Sequence, residues 1–217
     1  MILSKYGIEL HRVKSEDLEL IRMHRNSEFV QSKMFYQKEI SSADQIKWFD
    51  KIDNDKNYYF VVKHQGKPVG LAHGIVHSFE KNTAEGGVFF WEKEVLQTPV
   101  PVIVSVCMAD LTFLLMKIDK TIAEVRTDNT TAINYNKQLG YVIVKELVEE
   151  GKIIMELTKD SYFKNAGKYR ELVKKISRDD TDISWKDIFI PKQTDSKLYE
   201  NLPQELRTNF VNRMNDN

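Results

Sequence analysis

The stretch from Val100 to Ile118, VPVIVSVCMADLTFLLMKI, limits the possible folds more than any other part of the chain. It is apolar on nearly every side, and a helix without a polar face has to be covered all round. Asp110 interrupts the run, Pro99 and Pro101 open it, and it barely reaches the roughly 20 residues that a membrane crossing needs. We read it as a helix buried in a protein core. A chain of 217 residues can supply that cover from one well-buried core, with room for an appendage.

Lysine plus arginine number 32, and so do aspartate plus glutamate. Net charge therefore gives no long-range steering, which argues against nucleic acid or an anionic membrane as the main partner. Cys107 is the single cysteine, so no disulfide forms within the chain. It lies on the apolar helix without an assigned base and reads as a buried thiol. The start, MILSKYGIEL, has no apolar run of signal-peptide length, so a cytoplasmic location is the expectation.

Periodicity orders the elements. Ile8–Val13 alternates as a first strand. A helix follows from Ser15, its expected cap, and a second runs through SSADQIKWFDKI, with Ser41 three residues before Asp44 as a weak capping box. YYFVVKHQGKPVGLAHGIVH predicts a hairpin that bends at QGK. AEGGVFFWEKE predicts a third long strand, where Gly86 and Gly87 mark a bulge or a close backbone approach. Pro101 suits the first position of the apolar helix. KTIAEVRT is a strand, DNTTAINYNKQL a helix ended by Gly140, and YVIVKELVEEG and KIIMELT are two more strands. This order predicts an α/β domain over residues 1–158, with a mixed, largely antiparallel sheet and helices on both faces. Residues 159–217 predict a helical extension, with one helix from about Tyr162 to Ile176 and a frayed polar end. Trp185, Ile188 and Phe189 would tie it to the domain or to a partner subunit.

Known catalytic signatures are few. No Gly-rich nucleotide loop, HExxH or paired-cysteine zinc pattern occurs. His73 and His77 share a face of a regular strand, but a metal needs further ligands and none is evident. No metal is expected.

AEVRTDNTTAINYNKQLGY resembles the C-terminal half of the GCN5-related N-acetyltransferase superfamily, where a strand leads to an Asn-x-x-Ala-Ile helix that closes in Leu-Gly-aromatic. The matching residues are Asn129, Ala132, Ile133, Leu139, Gly140 and Tyr141. The resemblance extends over roughly Ile8–Thr158. MHRNSEFVQSKMFYQKEISSADQIKWFDKI carries the flavour of branches that acetylate ribosomal-protein N-termini or nucleotide-linked amino sugars.

The resemblance implies the acyl-CoA N-acyltransferase fold, acetyl-CoA as co-substrate and a primary amine as acceptor. Two central strands, Glu85–Trp91 and Ile122–Thr127, would diverge to hold the pantetheine arm. A backbone N–H near Phe89, Phe90 or Trp91 would polarise the acyl carbonyl. Glu85 is the first candidate for the base, with Glu92 and Glu94 as alternatives. Arg25, Asn26, His73 and His77 would line the acceptor pocket, and Asn129 would touch the cofactor. Two departures stand out. The family's glycine-containing pyrophosphate loop is replaced by EVLQTPVPVIVS, which leaves the amides of Val102, Ile103 and Val104 at a helix start to meet phosphate. The position of the general-acid tyrosine is Asn136, with Tyr135 one residue earlier and about 100° round the helix.

Three functions follow as expectations. The first is an N-acetyltransferase for a small amine, an amino-sugar nucleotide before a protein N-terminus, with a homodimer as one possible assembly. The second is a catalytically silent binding or regulatory module on the same fold. The third is an interaction protein that acts through its aromatic C-terminal part.

Overall fold

The computed structural model describes residues 1–191 and 201–215. Nine strands form one sheet: β1 (Ile2–Lys5), β2 (Ile8–Arg12), β3 (Asn57–His64), β4 (Lys67–Ser78), β5 (Thr83–Phe90), β6 (Lys120–Arg126), β7 (Val142–Leu147), β8 (Lys152–Thr158) and β9 (Ile188–Phe189). Their order is β7-β8-β6-β5-β4-β3-β2-β1-β9. Every pairing is antiparallel except β5 with β6. The predicted α/β class with a largely antiparallel sheet is what forms.

Turn chemistry sets the two hairpins nearest the N-terminus. Tyr6 and Gly7, like Gln65 and Gly66, take positive φ at both central positions of a two-residue turn. That conformation matches the twist of the flanking strands. The QGK bend was predicted. The β1–β2 hairpin was not, because MILSK is too short to show a period.

Helices cover both faces. On one side lie α1 (Leu18–Arg25), α2 (Glu28–Gln31) and α3 (Ser42–Ile52). They pack through Leu18, Ile21, Val30, Trp48 and Phe49 on Val61, Leu71 and Trp91 of the sheet. The helix expected from Ser15 is in fact a 3-10 turn at Ser15–Asp17 followed by α1, and Ser27 separates α2. Ser15 is not its cap. The Asp17 carboxylate instead accepts from the Lys14 amide at 2.9 Å. Ser41 does cap α3, accepting from the Asp44 amide at 3.1 Å and donating to the Asp44 carboxylate at 2.7 Å.

On the other side lies the apolar helix α4 (Val100–Asp110), which continues as a π-helical turn over Leu111–Leu115. Ile103, Val104, Val106 and Cys107 are buried in the main core with Phe60, Val62, Ala72 and Phe90. Pro101 stands at the second helical position, one later than predicted, since Pro99 is the cap residue and Val100 opens the helix. Beside α4 lies α5 (Thr130–Leu139), packed by Ile133 on Ala123, Val125 and Met155. No helix among the described residues is long and apolar enough to cross a membrane.

Behind α4 come α6 (Lys159–Asn165), α7 (Gly167–Ser177) and, beyond β9, α8 (Gln204–Asn215). The single helix expected over residues 162–176 is two, broken at Ala166. Val173, Ile183, Ile188, Leu206 and Phe210 belong to the same core as α4, so residues after Thr158 share the domain's interior. The predicted fraying of the last residues falls on 216 and 217, outside the described residues.

Polar ties fix this outer layer. Asp110 is fully buried at the end of α4 and accepts from the Tyr162 hydroxyl at 2.9 Å and from Arg170 Nε at 3.1 Å. Lys5 Nζ, almost wholly enclosed, lies 2.8 Å from the Asp179 carboxylate and donates to Thr181 at 2.6 Å. The hydrogen bonds from Lys5 and then Thr181 hold the Asp179 carboxyl down at about 2, against 3.8 for a free one. A depressed native pKa adds stability that is present above the unfolded value and disappears as pH falls through the native one. Asp179→Asn is therefore expected to destabilise the protein at pH 7 and to remove part of its stability loss between about pH 4 and pH 2. Urea unfolding across that range reads the difference; parallel curves for the two proteins contradict it.

Candidate active site

The site grows from the one parallel contact in the sheet. β5 and β6 pair only at Thr83–Lys120, Ala84–Thr121 and Glu85–Ile122, and then separate. From Gly86 onward β5 bonds β4 alone. The Trp91 amide donates to the Val69 carbonyl at 3.1 Å. Backbone direction alternates along an antiparallel strand, so Phe89 and Gly87 also face β4, while Phe90 and Val88 turn their N–H and C=O into the gap. Of the three residues predicted to supply a carbonyl-polarising amide, Phe90 turns its N–H into the gap. Phe89 and Trp91 spend theirs on β4. The Val88 N–H faces the gap as well, at a position not predicted from the sequence.

Glu85 sits at the fork of the gap, on the face shared with α1–α3. Its carboxylate lies 3.5 Å from His77 Nε2 and 4.0 Å from His73 Nε2. Burial, and then the Glu124 carboxylate, push the Glu85 pKa above its usual value, while His77 and Lys152 pull against them. The two histidines reach one carboxylate although β4 has a bulge at His77. His73 stacks on Tyr59 with ring centroids 5.0 Å apart. Its other flank rests on Gly87, where an added Cβ would stand 2.6 Å from the imidazole Cε1. Gly87 thus serves close approach, and no bulge occurs at the Gly86–Gly87 pair, where the register with β4 is regular. Burial lowers the His73 pKa to about 4, so the ring is neutral at physiological pH. Trp48 closes this wall edge-on against Tyr59 at 5.1 Å.

The opposite wall comes from β6 and β8. Lys152 Nζ lies 2.8 Å from Glu124 and 5.3 Å from the Phe35 ring centroid. Arg126 donates to the Met34 carbonyl at 3.2 Å, which ties the segment between α2 and α3 across the sheet face. Asn26 anchors the same segment from behind. Its amide donates to the Ile40 carbonyl at 2.9 Å and its oxygen accepts from the Ile40 amide at 2.8 Å. Asn26 therefore fixes the course of this segment at Ile40. Arg25 holds its guanidinium 5.7 Å from the Phe89 ring centroid, beside Tyr59.

The helix ends behind the gap offer less than predicted. The Val100 amide donates to the Thr98 hydroxyl at 3.3 Å and the Ile103 amide to the Pro99 carbonyl at 3.0 Å. Pro101 has no amide proton, and Val104 lies past the first turn, where its amide bonds within the helix. Among the described residues Val102 alone keeps a free amide at the start of α4, so two of the three predicted phosphate donors are already engaged. No group of three or more histidines, cysteines or acids stands ready for a metal among the described residues.

No protein-family model matches the chain, and no curated protein does. Solved structures do match. A spermidine N-acetyltransferase from Vibrio cholerae in complex with CoA and spermine superposes with a TM-score of 0.65 at 20% identity, covering 73% of this chain and 99% of that one. The aminoglycoside acetyltransferase AAC(6')-Ib in complex with coenzyme A gives 0.62 at 13% identity, covering 72% and 97%. An uncharacterized protein from Bacillus halodurans gives 0.66 at 16% identity, covering 76% and 91%. The fold is the GCN5-related N-acetyltransferase fold.

Within the acetyltransferase fold, α5 departs from the pattern as the sequence indicated. Asn129 caps the helix by accepting from the Ala132 amide at 3.2 Å. Asn136 points at the sheet and reaches Met155 Sδ at 3.8 Å. Tyr135 turns the other way, to α4, donating to the Pro101 carbonyl at 3.1 Å and lying 2.8 Å from Ser105 Oγ. Burial pushes its pKa to about 12, with the Ser105 hydroxyl opposing. The phenol therefore stays protonated and joins the two helices that flank the gap. Tyr59, Glu124, Lys152 and Ser105 were not foreseen. Counting back from the QGK turn would set Tyr58 opposite His73; the bulge at Val69 shifts the register by one and brings Tyr59 there instead.

Proposed function

We propose that this protein is an N-acetyltransferase that moves an acetyl group from acetyl-CoA to the primary amine of a small molecule. The reading rests above all on the gap between β5 and β6, with unpaired backbone groups at Val88 and Phe90 and a carboxylate at its fork. An extended ligand arm with amide groups satisfies such strand edges. Val88 and the Phe90 carbonyl would hold the pantetheine amides, and Val102 would meet the pyrophosphate with help from the helix dipole. When bound, acetyl-CoA supplies an activated acetyl thioester. Glu85 then takes the proton that the attacking amine must lose. The Phe90 amide stabilises negative charge on the acyl oxygen. The leaving thiolate is stable enough to depart without a strong acid, which suits a site where Asn136 stands in the tyrosine position. An amino sugar on a nucleotide carrier is one acceptor of suitable chemistry.

Release of CoA from acetyl-CoA across a panel of amines, followed with a thiol reagent, tests the reading. Absence of both calorimetric CoA binding and thiol release at millimolar acetyl-CoA would end it. The start of α4, with its single free amide, favours a second reading in which the fold binds a ligand without catalysis. That reading predicts acetyl-CoA binding with no thiol release. In a variant that retains the fold by circular dichroism, Val102→Pro is expected to weaken acetyl-CoA binding about 10-fold by deleting that amide. Equal calorimetric affinity for both proteins would place the pyrophosphate elsewhere.

A further inference from the structure

Arg25 has no acid beside it. Four other cations on this side of the sheet are paired: Arg22 with Glu19 at 2.7 Å, Lys152 with Glu124 at 2.8 Å, Arg126 with Asp128 at 2.6 Å and Lys120 with Glu156 at 3.1 Å, while Lys33 and Lys93 lie over the Phe29 ring. Among the described residues Arg25 has no hydrogen-bond acceptor and no carboxylate within ion-pair distance. Its one charged-group contact of note is the face of the Phe89 ring. A ring face holds a guanidinium from one side and leaves its edge, with five N–H donors, directed away. Arg25 is also partly buried, and burial is the main influence that disfavours its charge, with Tyr59 opposing. A half-enclosed guanidinium without a partner is costly, and a bidentate oxyanion is the group that fits it best.

Its position relative to Glu85 gives the vacancy a use. Phe89, whose ring carries Arg25, lies on the same face of β5 as Glu85, further along the strand. Tyr59 senses the charge of both and shares a wall with His73 and Trp48. We infer that the acceptor is an amine that also carries an oxyanion, a carboxylate or a phosphate, which Arg25 grips while the amine lies at Glu85. This rests on the proposed N-acetyltransferase function and narrows its substrate. It sets the site apart from one built for an all-cationic polyamine, since such an amine would meet Arg25 as a like charge. Glu85 would repel an anion from its own end of the site, which favours one direction for the acceptor.

The test uses the full chain and matched pairs of acceptors. Amino acids are compared with their amides, and amino-sugar phosphates with the free amino sugars, with spermine as the cationic control. The expected result is a kcat/KM about 10- to 100-fold higher for the anionic member of at least one pair, the size of a charge-assisted hydrogen-bonded contact. The pair that shows it tells carboxylate from phosphate. In Arg25→Gln that ratio is expected to fall close to one, through KM more than kcat, with partial recovery in Arg25→Lys. Equal turnover of both members of every pair, or a preference for spermine, overturns the inference. Binding is read separately by intrinsic tryptophan fluorescence during titration with N-acetylglycine and with inorganic phosphate, with and without the Arg25→Gln change. Saturable binding that needs Arg25, in a protein that releases no CoA with any amine, upholds the anion site and overturns the acetyltransferase reading. Acetyl transfer without acid selectivity does the reverse.

Discussion

Replacing Glu85 with Gln is expected to lower acetyl transfer to a small amine by about 10²- to 10⁴-fold, the range that a positioned base contributes. The substitution keeps the shape and polarity of the side chain, so His77 retains a polar neighbour and the melting temperature should hold. Only the capacity to take a proton is lost. The pH profile separates this role from a structural one. Burial and Glu124 raise the Glu85 pKa, so the carboxyl stays protonated to a higher pH than an ordinary glutamate. Wild-type kcat/KM should accordingly decline below that raised value, because a protonated carboxyl cannot accept the amine's proton. The Gln variant should lack this limb. Turnover within twofold of wild type, with the acidic limb intact, would move the base to another group, with Glu92 and Glu94 next in line. Both follow the end of β5 and lie away from the fork.

The largest loss of stability is expected from Asp110→Ala, about 3–5 kcal/mol. The carboxylate is sealed between α4, α6 and α7, where it takes the Tyr162 hydroxyl and the Arg170 guanidinium. Removing it strands a buried phenol and part of a buried cation. Asp110→Asn keeps an acceptor for Tyr162 and should cost less. Burial raises the Asp110 pKa despite Arg170 and Tyr162. A group raised in the native state contributes stability that is full below its unfolded pKa and is lost as pH rises through the native one. The gap between wild type and Asp110→Asn should therefore narrow as pH rises from about 4 toward neutrality. Urea unfolding at several pH values measures both effects. A loss under about 1 kcal/mol for the Ala variant would show that the outer helices are not tied through this residue.

Much of the frame was legible because its signals are local. Ser41 and Asn129 cap helices with their own side chains, Gly140 ends α5 at φ 104°, and Gln65 with Gly66 folds a hairpin. Each depends on the dihedral preferences and hydrogen bonds of a few neighbouring residues. The same locality produced the errors. Ser15 looked like a cap, but Asp17 two residues on competes for the role with a stronger acceptor. Pro101 looked like a helix start, but Pro99 was already there.

The sequence by itself determined the order of strands and helices from Ser41 to Thr158, the burial of α4, and Glu85 as an acid on the strand that borders the gap. Tertiary structure alone decided which side chains meet at that acid. Tyr59 faces His73 because one extra residue at Val69 shifts a whole strand's register, and Arg25 is left without an acid because of how α1 lies across Phe89. Caps and turns are energies of adjacent residues, whereas a site is made of contacts between distant ones. A single bulge or helix tilt changes every such contact while leaving the local pattern as it was.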